Sequence, residues 1–172
     1  MIEYEVVMPR YEKPDWLTRH LFNPLVAFVT NRGLSVRGSR ILVVRGRKSG
    51  QIRRIPVNPL EINGKRYLVA PRGETEWVRN LRAARGGELR LGRQHEPIGV
   101  EELPDDAKPP ILREYLRRWK TETGKFFDGV TAESADAELR RIAPRHPVFR
   151  VMSLGPRPER EPSATDLRRR TD

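Results

Sequence analysis

The chain has 172 residues, room for one domain with a real core. It contains no cysteine, which excludes disulfides and thiolate metal sites. Its net charge of +11, most of it arginine, calls for an anionic partner: nucleic acid, an acidic membrane surface or a polyanionic small molecule.

A GC-rich genome would give the same richness in arginine and proline. No apolar run reaches the length of a membrane span. Glu3, Glu5 and Glu12, without a small-residue cleavage site, do not read as a signal peptide. The expected compartment is the cytoplasm, with membrane association left open.

Residues 1–15 read as irregular, because Pro9 and Pro14 break any element. Trp16, Leu17 and Leu21 give a short amphipathic helix. Asn23 before Pro24 has the form of an N-cap followed by proline at the first helical position. Leu25, Phe28 and Val29 give that helix an apolar side, and Gly33 ends it. With Arg19 and Arg32 it suits peripheral contact with a membrane surface, although packing on its own domain is the commoner use.

The middle is rich in strands. Arg40–Arg45, with Ile41, Leu42, Val43 and Val44, is the first, and Arg53–Leu60 the second. Asn63-Gly64 is a two-residue hairpin turn, since both residues tolerate positive φ. It leads into a third strand, Arg66–Ala70, and a loop, Pro71-Arg72-Gly73. Thr75 caps a helix with Trp77, Val78, Leu81 and Ala84 on its apolar side, and Gly86 or Gly87 stops it. Two short strands follow, Glu88–Leu91 and Ile98–Leu103. Asp105 to Pro110 opens a helix with Ile111, Leu112, Tyr115, Leu116 and Trp119 on one face. Glu133–Ile142 is a further helix, and Pro147–Met152 the last strand. From Gly155 the chain is rich in Pro, Arg and Glu without periodicity, and reads as a disordered tail. The strands and tight turns define an α+β, mainly β fold: a small antiparallel barrel of about six strands with peripheral helices.

The strongest chemical signal is Gly46-Arg47-Lys48-Ser49-Gly50-Gln51-Ile52-Arg53-Arg54, at the turn between the first two strands. Its glycines let backbone N–H groups come to the surface, and its cations would grip a phosphate or carboxylate. A solvated basic turn is the plainer reading. Arg53 and Arg54 are successive in a strand and point to opposite faces, so one of them faces a groove, and Arg53 is favoured. Walker A is excluded, because Arg47 sits where glycine must precede Lys-Ser. His20, His95 and His146 are scattered, with no metal-ligating set and no nucleophile elbow. No catalytic side chain is assigned, so an enzyme of this kind would take its chemistry from a cofactor.

The basic turn with Arg53 and Pro56, then Leu68–Gly73, then Trp77-Val78-Arg79-Asn80-Leu81, resembles the deazaflavin-dependent nitroreductase family. These are the quinone-reductase-like, coenzyme F-420-dependent oxidoreductases of actinobacteria. The resemblance runs from about Asn23 to about Met152, and includes Lys108-Pro109-Pro110 and His146–Arg150. It implies a split β-barrel, FMN-binding-like, over residues 23–154, between an N-terminal extension of 1–22 and a tail of 155–172. It also implies reduced coenzyme F-420 as hydride donor to an electrophilic small molecule: an activated alkene, a quinone or a nitro compound.

By this similarity Arg47, Lys48 and Ser49 meet the cofactor's phosphate or glutamate tail. Pro56 and Val57 lie along the ring or its ribityl chain. Ala70, Pro71, Arg72 and Gly73 pass close to the ring, with Arg72 reaching the phosphate, and Trp77 and Asn80 close the site. Trp77 has core-facing helical spacing and reads equally as core. Three departures put nitroimidazole or quinone reduction in doubt. Pro71 stands where the family has a serine and Asn58 where it has a tyrosine, while Lys125-Phe126-Phe127 replaces a tyrosine-rich substrate region. Asn58, Tyr115, Trp119, Phe126 and Phe127 are the candidate substrate pocket, although Tyr115 and Trp119 fit a packed helix face as well.

FMN or heme in the same barrel, or a non-enzymatic basic binding module, remain alternatives at this stage. Scarce histidine weakens heme. Nucleic acid is not expected, because the basic middle has only Tyr67 and Trp77 as aromatics, both at core-like positions. The oligomeric state is not legible.

Overall fold

The computed structural model describes residues 38–155. The expected helices before Gly33, and the expected tail of 155–172 after its first residue, lie outside them. Seven strands form one antiparallel sheet: β1 (Arg40–Arg45), β2 (Ile52–Val57), β3 (Leu60–Ile62), β4 (Lys65–Val69), β5 (Gly86–Leu91), β6 (Gln94–Glu102) and β7 (Val148–Ser153). Their spatial order is β2-β1-β5-β6-β7-β4-β3. The sheet curls into a half-barrel, the split-barrel architecture, with three α-helices around it. These are α1 (Glu76–Ala84), α2 (Pro109–Thr123) and α3 (Asp136–Ile142).

The seventh strand comes from dividing one expected strand. Asn58 and Pro59 interrupt the run from Arg53 to Leu60, so β2 pairs with β1 while β3 pairs with β4 on the far side of the sheet. Proline cannot donate to a ladder, which makes this a natural place to leave one strand and begin another. At the Asn63-Gly64 turn both φ angles are positive, +50° and +72°, as the hairpin reading requires.

Two hydrophobic clusters pack on opposite faces of the sheet, and β4 shows the division. Tyr67 and Val69 join the outer cluster under α2 and α3, with Leu112, Leu116, Trp119, Phe127 and Leu139. Leu68 and Ala70 join the inner cluster under α1, with Leu42, Val44, Val78, Leu81 and Phe149. This is strand alternation with both faces covered. Burial on this scale is worth roughly 1.5–3 kcal/mol for each large apolar side chain.

Helix α1 ends one residue before the expected stop. Arg85 takes the left-handed conformation at φ +54° and its N–H donates to the Leu81 carbonyl at 2.8 Å. Gly86 and Gly87 do not stop the helix; they open β5. A Cβ on Gly86 would stand 2.4 Å from the Ile98 carbonyl oxygen, and one on Gly87 2.6 Å from that of Val43. Glycine is therefore needed there for close strand approach. Thr75 occupies the N-cap position of α1, but its hydroxyl makes no cap hydrogen bond.

Candidate functional site

The basic turn between β1 and β2 is closed by its own backbone. The Gly46 N–H donates to the Gln51 carbonyl and the Gly50 N–H to the Gly46 carbonyl, both at 2.8 Å. Gly50 has φ +68°, a conformation glycine adopts without strain. A Cβ on Gly46 would meet Ser49 Oγ at 3.0 Å and the Gln51 carbonyl at 3.2 Å. With these N–H groups bonded inside the turn, its outward chemistry comes chiefly from side chains.

Helix α1 holds the turn in place. Asn80 is buried, and its Oδ1 accepts from the Arg47 N–H and from Arg47 Nη1, each at 3.1 Å. Glu76, one turn earlier, accepts from Arg47 Nη1 through Oε2 at 2.7 Å. The Arg47 hydrogen bond keeps the Glu76 carboxyl below its usual pKa range. The other Glu76 oxygen accepts from Arg79 Nη1 at 3.0 Å.

Between turn, strand and helix lies an open groove of about 610 Å³. That volume falls within the range of small-ligand sites. Six expected cofactor residues border it: Arg47, Lys48, Ser49, Arg53, Trp77 and Asn80. Trp77 borders the groove and also packs against the inner cluster, its ring 6.1 Å from that of Phe149. Arg54 borders the groove as well, against the expectation that only Arg53 would. β2 is an edge strand with no partner strand along its outer side, and both Arg53 and Arg54 are exposed there. Glu76 also lines the groove and was not singled out in the sequence. Its signal was weak: a helix-start glutamate four residues before Asn80.

The loop after β4 turns to the other side. Pro71, Arg72 and Gly73 line a crevice of only about 10 Å³ with Phe126, Asp128, Arg145 and His146. The Arg72 guanidinium lies 4.5 Å over the Phe126 ring. Arg145 and Asp128 form an ion pair beside it. His146 is buried, stacked on Phe127 at 4.2 Å, and its Nδ1 has no hydrogen-bond partner. Burial lowers its pKa to about 4. Ala70 is buried in the inner cluster, and its N–H donates to the Pro147 carbonyl at 2.9 Å.

The remaining candidates are not brought to the groove. Pro56 and Val57 are half-buried on β2 and do not line it, and Val57 packs on the inner cluster. Asn58 sits in the break before β3. Tyr115, Trp119 and Phe127 are buried in the outer cluster, with Tyr115 and Trp119 rings 4.8 Å apart. Tyr115 and Trp119 lie on the packed face of α2, and Phe127 follows the helix in the same cluster. Phe126 lies partly buried beneath Arg72.

The described residues thus form a curled split barrel with a cationic groove between its edge strand and the start of α1. Residues 16–130 match the model of the F420H2-dependent quinone reductase family, and the chain belongs to that family. It is an oxidoreductase, and its cofactor is coenzyme F-420. No curated protein matches the chain. Among solved structures, an F420-H2 Dependent Reductase (FDR-A) is 20% identical over 67% of this chain and 95% of its own, with a TM-score of 0.49. A protein described as a domain-swapped dimer is 18% identical over 75% of this chain and 95% of its own, with a TM-score of 0.51. Protein Atu2129 of Agrobacterium tumefaciens, of unknown function, is 15% identical over 86% of this chain and 60% of its own, also at 0.51. At such identities the last two bear on the fold alone. Among the described residues, no helix is long and apolar enough to cross a membrane. No group of His, Cys, Asp and Glu able to hold a metal ion is found among them either.

Proposed function

We propose that the groove between the basic turn and α1 takes the phosphate and glutamate tail of reduced coenzyme F-420 (F420H2). The observation that carries this reading is the charge of the groove. Four cations border it, against a single carboxylate, Glu76. Lys48, Arg53 and Arg54 have no carboxylate partner among the described residues. An unneutralised cluster of this kind, facing an open volume, attracts a polyanion.

Arg47, fixed by Asn80, and Lys48 would bind the phosphate or tail. Arg53 and Arg54 would add charge along the edge strand, and Ser49 a hydroxyl. The loop Ala70–Gly73 would lie along the ring, by similarity to the family. Trp77 would wall the groove with an apolar surface and exclude water there. When bound, the cofactor supplies a hydride for an electrophilic small molecule: an activated alkene, a quinone or a nitro compound. The protein contributes position and dryness, which together can supply much of a rate enhancement. A protein acid is not required, because water can deliver the second proton.

The test is a fluorescence titration of the protein with coenzyme F-420 and, separately, with FMN. Lys48→Ala should weaken F-420 binding about tenfold, the scale of one charge-assisted contact. Equal affinity of the variant, or tighter binding of FMN by the unmodified protein, would overturn this reading.

A further inference from the structure

We infer that Glu76 is an internal counter-ion of the groove: its carboxylate holds Arg47 until an anionic ligand group takes its place. Glu76 thereby sets how anionic a ligand must be to occupy the site. The inference rests on the anion-groove reading above.

The geometry separates a fixed cation from a movable anion. Arg47 is anchored by Asn80 Oδ1 through both its backbone N–H and its Nη1, at 3.1 Å each. Its side chain is only 24% exposed, and the Asn80 contact to Nη1 does not depend on Glu76. The Glu76 side chain is 67% exposed, and no packing fixes it. It is held by two ion pairs alone, Oε2 to Arg47 at 2.7 Å and Oε1 to Arg79 at 3.0 Å. Arg79 lies three residues on along α1, within ordinary reach of a helical pair. Rotation of the glutamate toward Arg79 frees Arg47 while the carboxylate keeps a partner.

Exposed ion pairs of this kind are weak, so a multiply charged phosphate in place of the carboxylate wins readily. A ligand with less charge at this point does not displace it and meets a blocked cation. A carboxylate that remains a few ångströms from a bound phosphate opposes it, most strongly at low ionic strength. Glu76 therefore lowers affinity for every anion but penalises weak anions more. The groove would otherwise take any small phosphate.

The experiment measures F-420 affinity at low and physiological salt for the unmodified protein, Glu76→Gln, Arg79→Gln and the double variant. Glu138→Gln, an exposed position on α3 outside the groove, controls for the same change in net charge. Glu76→Gln should tighten binding about three- to tenfold at low salt, with the gain shrinking as salt rises. Arg79→Gln should weaken binding when Glu76 is present and have little effect on top of Glu76→Gln, a non-additive cycle. Unchanged or weaker binding by Glu76→Gln, additive behaviour, or an equal gain from Glu138→Gln overturns the inference. Inorganic pyrophosphate, titrated by calorimetry, separates this inference from the cofactor reading. If the protein takes no F-420 but Glu76→Gln strengthens pyrophosphate binding, the cofactor reading fails and the counter-ion stands. If F-420 binds and Glu76→Gln changes neither ligand, only the counter-ion fails.

Discussion

Asn80 is the residue on which the groove depends most. One buried amide oxygen fixes the backbone and the guanidinium of Arg47 together, across 33 positions of sequence. Asn80→Ala would leave a part-buried N–H without its acceptor, at a cost of roughly 1–3 kcal/mol. Urea unfolding should show that loss, and F-420 affinity should fall with it, because Arg47 loses its anchor. Ser49→Ala is the contrast. The Ser49 hydroxyl accepts only the Gln51 N–H, at 3.3 Å and in solvent, so its removal should cost less than about 0.5 kcal/mol. The residues of the basic turn were legible because their chemistry is contiguous in sequence. Asn80 and Trp77 could be placed only through the family resemblance. Glu76 escaped because its meaning lies in a contact with Arg47, 29 positions away, which no local pattern records. The aromatic residues of α2 illustrate the converse ambiguity. Apolar side chains at three- and four-residue spacing read the same whether the face they form meets a ligand or a core. Here it meets a core.

At the scale of elements, Gly86 and Gly87 carry the sharpest expectation. A methyl group at position 87 would sit 2.6 Å from the Val43 carbonyl oxygen, an atom of the β1 backbone that side-chain repacking cannot move. Gly87→Ala should therefore force β1 and β5 apart and lower stability by about 1–3 kcal/mol or more, the scale of overpacking. Thermal unfolding checks this, and an unshifted midpoint would show that the sheet yields there. The same two glycines show why element boundaries were harder to read than elements. A glycine after an amphipathic run is the usual mark of a helix end. In this chain Arg85 takes the left-handed position itself, and the glycines serve strand contact instead. The hairpin at Asn63-Gly64 was plain because its two residues are the ones a tight turn demands. The break between β2 and β3 was hidden, because Asn58-Pro59 interrupts an apolar alternation that otherwise runs on to Leu60. Strand alternation located the sheet, but the strand order, with β4 beside β7, depends on long-range pairing.

For the whole molecule, the two core layers meet at His146, and this makes stability depend on pH. Its ring stacks on Phe127 of the outer cluster while meeting the backbone of Ala70 and Pro71, where β4 ends. Burial, aided by the nearby Arg145 charge, lowers its pKa from 6.5 to about 4. The folded protein therefore keeps this imidazole neutral where the unfolded chain protonates it. Between pH 4 and pH 6.5 the unfolded state binds more protons, so stability must rise with pH across that window. Above it the group has no effect, and below it the full penalty applies, on the order of 3 kcal/mol. Glu76 and Glu96 have lowered pKa values, through Arg47 and Arg66 respectively, so their stabilisation is lost only at lower pH. Measurements between about pH 5 and pH 7 separate the two effects. Urea midpoints should climb over that interval in the unmodified protein and flatten in His146→Gln, which retains a donor for the neighbouring carbonyls. A slope that survives the substitution would assign the pH dependence to other groups and leave His146 a packing residue.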